Sequence, residues 1–298
     1  MRHDYFQPTG CFSPARHRSL PHLLAQAALI LYKGAMQIYD SYDDEPEDIF
    51  LPLSDEFHCR LYAAEMAGFA EDLEFYRRNL PSAGHILEVA CGTARVGGIL
   101  ATEGCSVTGI DLSLPMLRQA RQDHGTVLGL TVMDMRRLAF RSRFDAVLIP
   151  YNSLNLLADP IDIHACLAGC RDALKDDGQL LLHLFVPGRQ LLQQPGKKLF
   201  QFRMFDDPQL GRVIRETLRI YRPETQILEL EERFRLRPAG GPRKDFSQHL
   251  QLCAWPAARW LETMTESGFA VDSCHGSFAL ANFVAGRDST LLVAARRR

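Results

Sequence analysis

The sequence predicts an α/β fold: a doubly wound, mostly parallel sheet carrying an antiparallel β insertion before the last helix. Three observations point there. From residue 85 onward, apolar runs of strand length alternate with helical patterns across short connections. Two of those runs end in an acid: Ile86-Leu-Glu88 opens into Val-Ala-Cys-Gly-Thr-Ala-Arg95, and Val107-Thr-Gly-Ile110 ends in Asp111. After Pro187 the texture changes to long, alternating, half-exposed segments separated by turn residues.

Residues 1–20 are rich in Pro, His, Arg and Ser and read as a loose tail. The apolar run 23–32 predicts an amphipathic helix. Basic residues precede it as in a signal core, but no convincing small-x-small cleavage site follows. Met36 could serve as a second start, which would make residues 1–35 an optional extension. Residues 58–79 place Leu61, Ala64, Met66, Phe69, Leu73 and Tyr76 near helical spacing.

Strands are expected at 85–90, 106–111, 129–133, 144–149 and 179–186, with helices near 95–103, 113–123 and 161–175. Ser113 is a natural N-cap, with Pro115 in the first turn. Lys175-Asp-Asp-Gly178 reads as the close of the third helix and the turn into the next strand. Residues 198–205, 211–222, 226–236 and 245–252 form the antiparallel insertion, with turns at Arg222-Pro-Glu-Thr225 and Pro238-Ala-Gly-Gly-Pro242. Helix 255–267 and strands 269–277 and 289–296 return to the parent sheet. The expected organisation is an N-terminal extension and covering segment (1–57), a core (58–187), the insertion (188–253) and a C-terminal completion of the core (254–298).

The 298 residues, 46% hydrophobic, suffice for a sizeable core, and a net charge of −2 offers no global field for nucleic acid or anionic lipid. No apolar run reaches the roughly 18 residues of a membrane span. Eight cysteines show no C-x-x-C pair and no metal-ligand spacing, as in a reduced, cytoplasmic protein. Cys166 and Cys170, four residues apart on a helix, read as a buried thiol pair.

An acid at the tip of a second parallel strand is placed to bind ribose hydroxyls, and the loop after Glu88 brings backbone close to a ligand. Together they point to a ligand containing adenosine. The G-x-G-x-x-G spacing of a dinucleotide site is missing.

With these elements the chain resembles the class I S-adenosylmethionine-dependent methyltransferases, closest to bacterial small-molecule enzymes with a sheet insertion. The resemblance covers about residues 38–297. It rests on Leu87–Arg95, Val107–Leu117, Asp134-Met135, Phe144-Asp-Ala-Val-Leu148 and Leu174-Lys-Asp-Asp-Gly-Gln-Leu-Leu181, five blocks in order. It implies a Rossmann-like, seven-stranded sheet and S-adenosylmethionine as cofactor. The family's acid-x-Gly-x-Gly-x-Gly loop carries Ala90 and Ala94 at two of its glycines. Alanine is comfortable only at negative φ, so strand-like or helical dihedrals are expected at both. Gly92 is then the one loop position expected to be intolerant of a side chain.

The resemblance assigns Glu88, Ala90 and Gly92 to the methionine end of the cofactor, Asp111 and Leu112 to the ribose, and Met116, Asp134 and Met135 to the adenine. Met116 is equally a core side chain; for Asp134 the lesser alternative is a simple turn residue. Pro150, Tyr151 and Asn152 in Ile149-Pro-Tyr-Asn-Ser-Leu-Asn155 would flank the methyl group and the acceptor. That run lacks the Asn/Asp-Pro-Pro-aromatic signature of nucleic-acid amino-methyltransferases, which argues against DNA or RNA as substrate. Tyr39 and Tyr42 would close over the cofactor, or pack a helix on the sheet. His183 is a general-base candidate or a core histidine. Glu229, Arg233 and His249 would line the acceptor pocket or form a solvated face.

The implied function is methyl transfer to a nitrogen or oxygen of a small molecule, which needs positioning and exclusion of water rather than a triad or metal. Two other readings share the site: cyclisation of the cofactor's side chain with release of methylthioadenosine, and a catalytically silent binding module. The inserted sheet is also able to pair across a homodimer.

Overall fold

The computed structural model describes residues 51–81, 84–208, 210–237 and 244–298. The 23–32 run, Met36, Tyr39 and Tyr42 lie outside these residues.

A short strand β1 (Leu51–Pro52) leads into helix α1 (Asp55–Glu65), whose N-cap Ser54 accepts a hydrogen bond from the Phe57 amide. The helical pattern at 58–79 is two helices, because Gly68 takes φ 78° and breaks it before α2 (Leu73–Asn79). Then follow β2 (His85–Val89), α3 (Arg95–Thr102), β3 (Ser106–Asp111), α4 (Leu114–His124), β4 (Leu128–Val132), β5 (Phe144–Ile149), α5 (Pro160–Ala173) and β6 (Leu174–Phe185). Ser113 caps α4, as its sequence requires.

One expected turn is a bulge instead. Helix α5 ends at Ala173, and β6 begins at once, Leu174 pairing with Phe144. Pairing resumes at Ala146 and Gln179, so Lys175–Gly178 loop out of a continuous strand. A Cβ on Gly178 would meet Leu174 Cδ2 at 2.8 Å, so a side chain there would press on Leu174 where the bulge folds back on its own strand.

The seven-stranded sheet has the order β11-β12-β6-β5-β2-β3-β4, closed by β11 (Phe269–His275) and β12 (Thr290–Arg297). β12 runs antiparallel to both its neighbours, while β4, β3, β2, β5 and β6 are parallel. Chain order reverses between β2 and β5, and ligands in open sheets of this kind bind at the carboxyl ends beside that switch.

Alternation along the strands gives two apolar faces. Leu87, Val89, Val147, Ile149, Leu180 and Leu182 pack with α5 and with α7 (Ala257–Glu266), through Ile163, Leu167, Trp260 and Met264. Ile86, Leu148, Leu181 and Leu292 pack on the other side with Phe75, Tyr76, Val96, Leu100 and Leu117. Each such side chain removed from water contributes about 1.5–3 kcal/mol. Cys166 and Cys170 are both fully buried in the first face.

Between β6 and α7 the chain forms α6 (Arg189–Gln193), β7 (Leu199–Asp207), β8 (Gly211–Arg222), β9 (Ile227–Arg237) and β10 (Lys244–Cys253). These four strands are antiparallel, with β1 added parallel to β10. The N-terminal flank thus completes the inserted sheet, which no periodicity in two residues could announce.

Asn155 fastens the insertion to the core. It is fully buried; its Nδ2 donates to the Phe185 carbonyl (2.9 Å) and the Cys253 carbonyl (2.6 Å), and its Oδ1 accepts from the Phe185 amide at 3.0 Å. Those are the last residues of β6 and β10, where the chain leaves for the insertion and returns from it. Asn155→Ala leaves all three backbone groups unpaired, and is expected to lower stability by about 3 kcal/mol. Urea unfolding should show a lower midpoint at unchanged slope; an unchanged midpoint would refute this role.

Candidate functional site

The loop Ala90–Ala94 leaves β2 at the switch point. Contrary to expectation, Ala90 (φ 53°) and Ala94 (φ 55°) are both left-handed, like Gly92 (φ 54°). Local preference is overridden by the hydrogen bonds that curl the loop. The Gly92 amide donates to Asp111 Oδ2, the Ala94 amide to the Cys91 carbonyl, and the Cys91 amide to the Ile110 carbonyl, at 2.8, 2.8 and 2.9 Å. A left-handed alanine costs roughly 1–2 kcal/mol.

Gly92 holds the left-handed backbone in which a side chain is strained, though not because of crowding. A Cβ there would lie 3.7 Å from Tyr62 Cε1 and 3.9 Å from Met116 Sδ, ordinary contact distances. The surroundings leave room, so it is the left-handed backbone, not packing, that favours glycine there. The demanding position is Gly97, where a Cβ would run into Glu88 Oε2.

That contact explains Glu88. Its carboxyl is buried and accepts from the Gly97 amide at 2.9 Å, at the open end of α3. Burial pushes its pKa up to about 8, against the opposing pull of the Gly97 bond and of Arg95. Asp111 is spent on both sides of the crevice, Oδ2 on Gly92 and Oδ1 on the Ser113 amide at 2.8 Å, leaving lone pairs on each oxygen. Leu112 is exposed beside it, whereas Met116 is buried under Gly92. Asp134 caps the short turn Met135–Arg137, and Arg136 grips it at 2.6 Å, holding its pKa down to about 2. Arg136 reaches on to Asp162 at 3.1 Å, so this pair looks toward α5.

At the carboxyl end of β5, Pro150 accepts from the amide and hydroxyl of Ser153. Tyr151 (φ 51°) and Asn152 (φ 61°) follow, two consecutive left-handed residues. Asparagine tolerates this and tyrosine does not, so the corner is strained. It is pinned by the Asn152 amide donating to the His183 carbonyl at 2.9 Å. The Tyr151 ring meets His183 edge-on at 5.9 Å and Phe69 at 5.8 Å; Phe278 closes the ring cluster at 5.2 Å from His183 and 5.6 Å from Phe69.

His183 is buried, and burial brings its pKa down to about 4. Its Nδ1 has no hydrogen-bond partner among the described residues, nor has the buried Asn152 Oδ1. Tyr151, Asn152 and His183 are therefore brought together, with Glu88 of β2, Gly92 of the loop and Asp111 of β3 at the neighbouring strand ends. The cluster adds residues with no distinguishing sequence signal: Tyr62, Phe69 and Phe278. Arg95 holds Phe69 in place, stacking on its ring at 4.8 Å and bonding its carbonyl and buried Asp72.

The inner face of the inserted sheet carries apolar clusters at its two ends, Val213, Phe234 and Leu236 against Leu61, and Tyr221 and Leu228 against Leu191. Between them lie Arg203, Arg215, Arg219, Glu232 and Gln248. Arg215 joins α1 to the insertion by pairing with both Glu65 (2.7 Å) and Glu232. Glu229, Arg233 and His249 fall on the opposite face by strand alternation, away from the crevice.

Two outcomes follow from the loop. Ala90→Gly relieves a left-handed alanine and is expected to raise stability by about 1 kcal/mol in urea unfolding, where a loss would contradict the strain. For Glu88 the folded pKa of about 8 lies above its ordinary 4.5. Its contribution is present at low pH and is lost as pH rises through 8. His183, depressed to about 4, loses its contribution as pH falls below 6.5, so it does not oppose this loss above 6.5. Between pH 6.5 and 8 the wild type should therefore lose stability relative to Glu88→Gln, by up to about 1.4 kcal/mol per pH unit. Parallel stability curves for the two proteins would contradict a neutral Glu88.

A methyltransferase domain family matches residues 86–178. The Bacillus subtilis protein YqeM, which carries the name of a methyltransferase, is 40% identical over 106 residues, 35% of this chain and 43% of YqeM. The dTDP-3-amino-3,6-dideoxy-alpha-D-glucopyranose N,N-dimethyltransferase of Streptomyces fradiae is 33% identical over 106 residues, 36% of this chain and 41% of that protein. The chain thus spans less than half the length of these two relatives. CalS10, a SAM-bound amino pentose methyltransferase from Micromonospora echinaspora, shares the fold with a TM-score of 0.62 at 22% identity, over 85% of this chain and 100% of CalS10. The residues of the crevice fit that cofactor: acids at the tips of β2 and β3, a glycine loop with room against it, and unpartnered polar atoms beside the corner. Residues 86–178 thus match a methyltransferase domain, and the chain shares its fold with a S-adenosylmethionine-bound methyltransferase.

Proposed function

We propose that the protein transfers a methyl group to a nitrogen or oxygen of a small molecule, and that an amine is the acceptor the site suits best. One observation carries this reading: Asn152 Oδ1 and His183 Nδ1 are buried beside the strained corner with nothing to bind. Buried polar atoms without partners are costly; a ligand donor would satisfy Asn152 Oδ1, and likewise His183 Nδ1 with the ring proton on Nε2. The relatives named for amino-sugar acceptors are in keeping with a substrate that offers N–H groups.

Bound S-adenosylmethionine supplies an electrophilic methyl on sulfur. The chain's own residues supply the rest. Glu88, Gly92 and Asp111 hold the cofactor; Pro150 and the Tyr151 ring bound the reacting end. With a pKa of about 4, His183 is neutral at physiological pH and a poor sink for a proton. Its role is to accept a hydrogen bond from a neutral acceptor and aim the lone pair. Phe69 and Phe278 exclude water around it. The inner face of the inserted sheet roofs the crevice and selects the acceptor.

Isotope-labelled cofactor incubated with cell extract should pass its methyl to small molecules and leave S-adenosylhomocysteine. Release of methylthioadenosine would overturn the reading. Asp111→Ala should weaken cofactor binding at least tenfold. His183→Phe should bind cofactor normally and turn over roughly ten- to a hundredfold more slowly, a loss of about 1.4–2.7 kcal/mol in the barrier. Unchanged turnover in that variant would remove His183 from the site.

A further inference from the structure

A cavity of about 380 Å³ lies beyond the carboxyl end of β6, lined among others by Phe185, Arg189, Gln193, Arg219, Arg287 and Ser289. Phe185 follows His183 by two residues on the same face of the strand, about 7 Å further along it. Ser289 is the backbone partner of Val186 at 3.1 Å, so the wall on that side continues the core sheet. Arg189 comes from α6 and Arg219 from β8, so the inserted segment supplies the other walls. The cavity therefore adjoins the histidine end of the crevice, under the roof of the insertion.

Its charge is one-sided, because no acidic residue lines it. Arg287 is neutralised by Asp288 at 2.7 Å, and that carboxylate also accepts from the Val284 amide. Arg189 and Arg219 have no carboxylate partner among the described residues. Arg219 stands on the inner face of β8, opposite Leu199 on one neighbour and Leu230 on the other. Its Nε is buried without a hydrogen-bond partner. Burial works against its charge, and no neighbouring acid offsets that. A half-buried guanidinium with an idle donor is unfavourable as a purely structural element, since an apolar side chain would fill the space better. A planar fork of N–H donors matches the oxygens of a carboxylate or a phosphate.

We infer that this cavity binds an anionic group, phosphate or carboxylate, carried by the acceptor, so that the substrates are anionic small molecules whose nucleophile reaches Tyr151 and His183. The word acceptor rests on the methyl-transfer reading; the anion site does not.

Titration calorimetry of the full chain with pyrophosphate, and separately with succinate, tests it. At least one should bind one-to-one, whether or not S-adenosylmethionine is present, and should suppress label transfer to the extract without displacing the cofactor. Preference for pyrophosphate marks a phosphorylated acceptor, and preference for succinate a carboxylated one. Arg219→Gln should weaken the anion at least tenfold, with Arg219→Lys between the two and cofactor affinity unchanged in both. Should Arg219→Gln not fold, exposed Arg189→Gln should still weaken the anion several-fold. Failure of both anions to bind the wild type, unchanged binding in the folded arginine variant, or a bound anion that leaves transfer untouched each overturns the inference. Absence of methyl transfer with anion binding intact would instead sink the functional reading alone.

Discussion

The guanidinium of Arg95 is bound to both oxygens of Asp72, at 2.8 and 2.6 Å, in a place where the acid is wholly buried and the base nearly so. The same group donates to the Phe69 carbonyl and lies on the Phe69 ring. Arg95 is the first residue of α3, so this one side chain ties the end of the ligand loop to the segment between α1 and α2. Losing one member of such a pair leaves an uncompensated buried charge, at a cost of about 3–5 kcal/mol. The arrangement of the aromatic cluster follows from it. Phe69 is set against Tyr151 and Phe278, and those two rings bracket His183.

Strain in the site is concentrated at two corners. The loop after β2 alternates left-handed residues with ordinary ones, and the corner after β5 sets two left-handed residues in succession. Each is held by hydrogen bonds from a neighbouring strand, Asp111 on β3 in one case and the His183 carbonyl on β6 in the other. The two corners flank the switch point. Backbone energy stored there is offset by the core beneath, where the strands are buried on both faces. Neighbouring backbone can therefore be aimed at a ligand without waiting for the ligand to shape it.

The insertion is joined to this framework by two small apolar clusters and by polar contacts. Asn155 supplies backbone-like pairing where the chain crosses over, and Arg215 bridges Glu65 on α1 and Glu232 on β9. Cavity-facing arginines then find themselves between two structural units, partly dried and only partly paired. Under the proposed reading, such a surface would select an acceptor by charge and shape.

Strand and helix order, the cap at Ser113, the four long inserted strands and the acids at the tips of β2 and β3 were all legible in the sequence, because each is encoded by local periodicity or by neighbours a few residues apart. The dihedrals of Ala90 and Ala94 were not, since alanine's own preference is opposite and the hydrogen bonds that curl the loop, two of them to β3, overrule it. The bulge at Lys175–Gly178 was read as a turn, for its composition is the same in both. Faces were legible only once the register was known: alternation assigns Glu229, Arg233 and His249 to one side of a strand, but which side meets the crevice depends on the partner strand. The roles of Tyr62, Phe69, Phe278 and Asn155 depend on contacts between residues far apart in the chain. The sequence by itself determined the elements and the ligand loop, because those follow from short-range chemistry. Tertiary structure alone decided what surrounds His183 and Arg219, because burial and the absence of a partner are properties of packing, not of any segment.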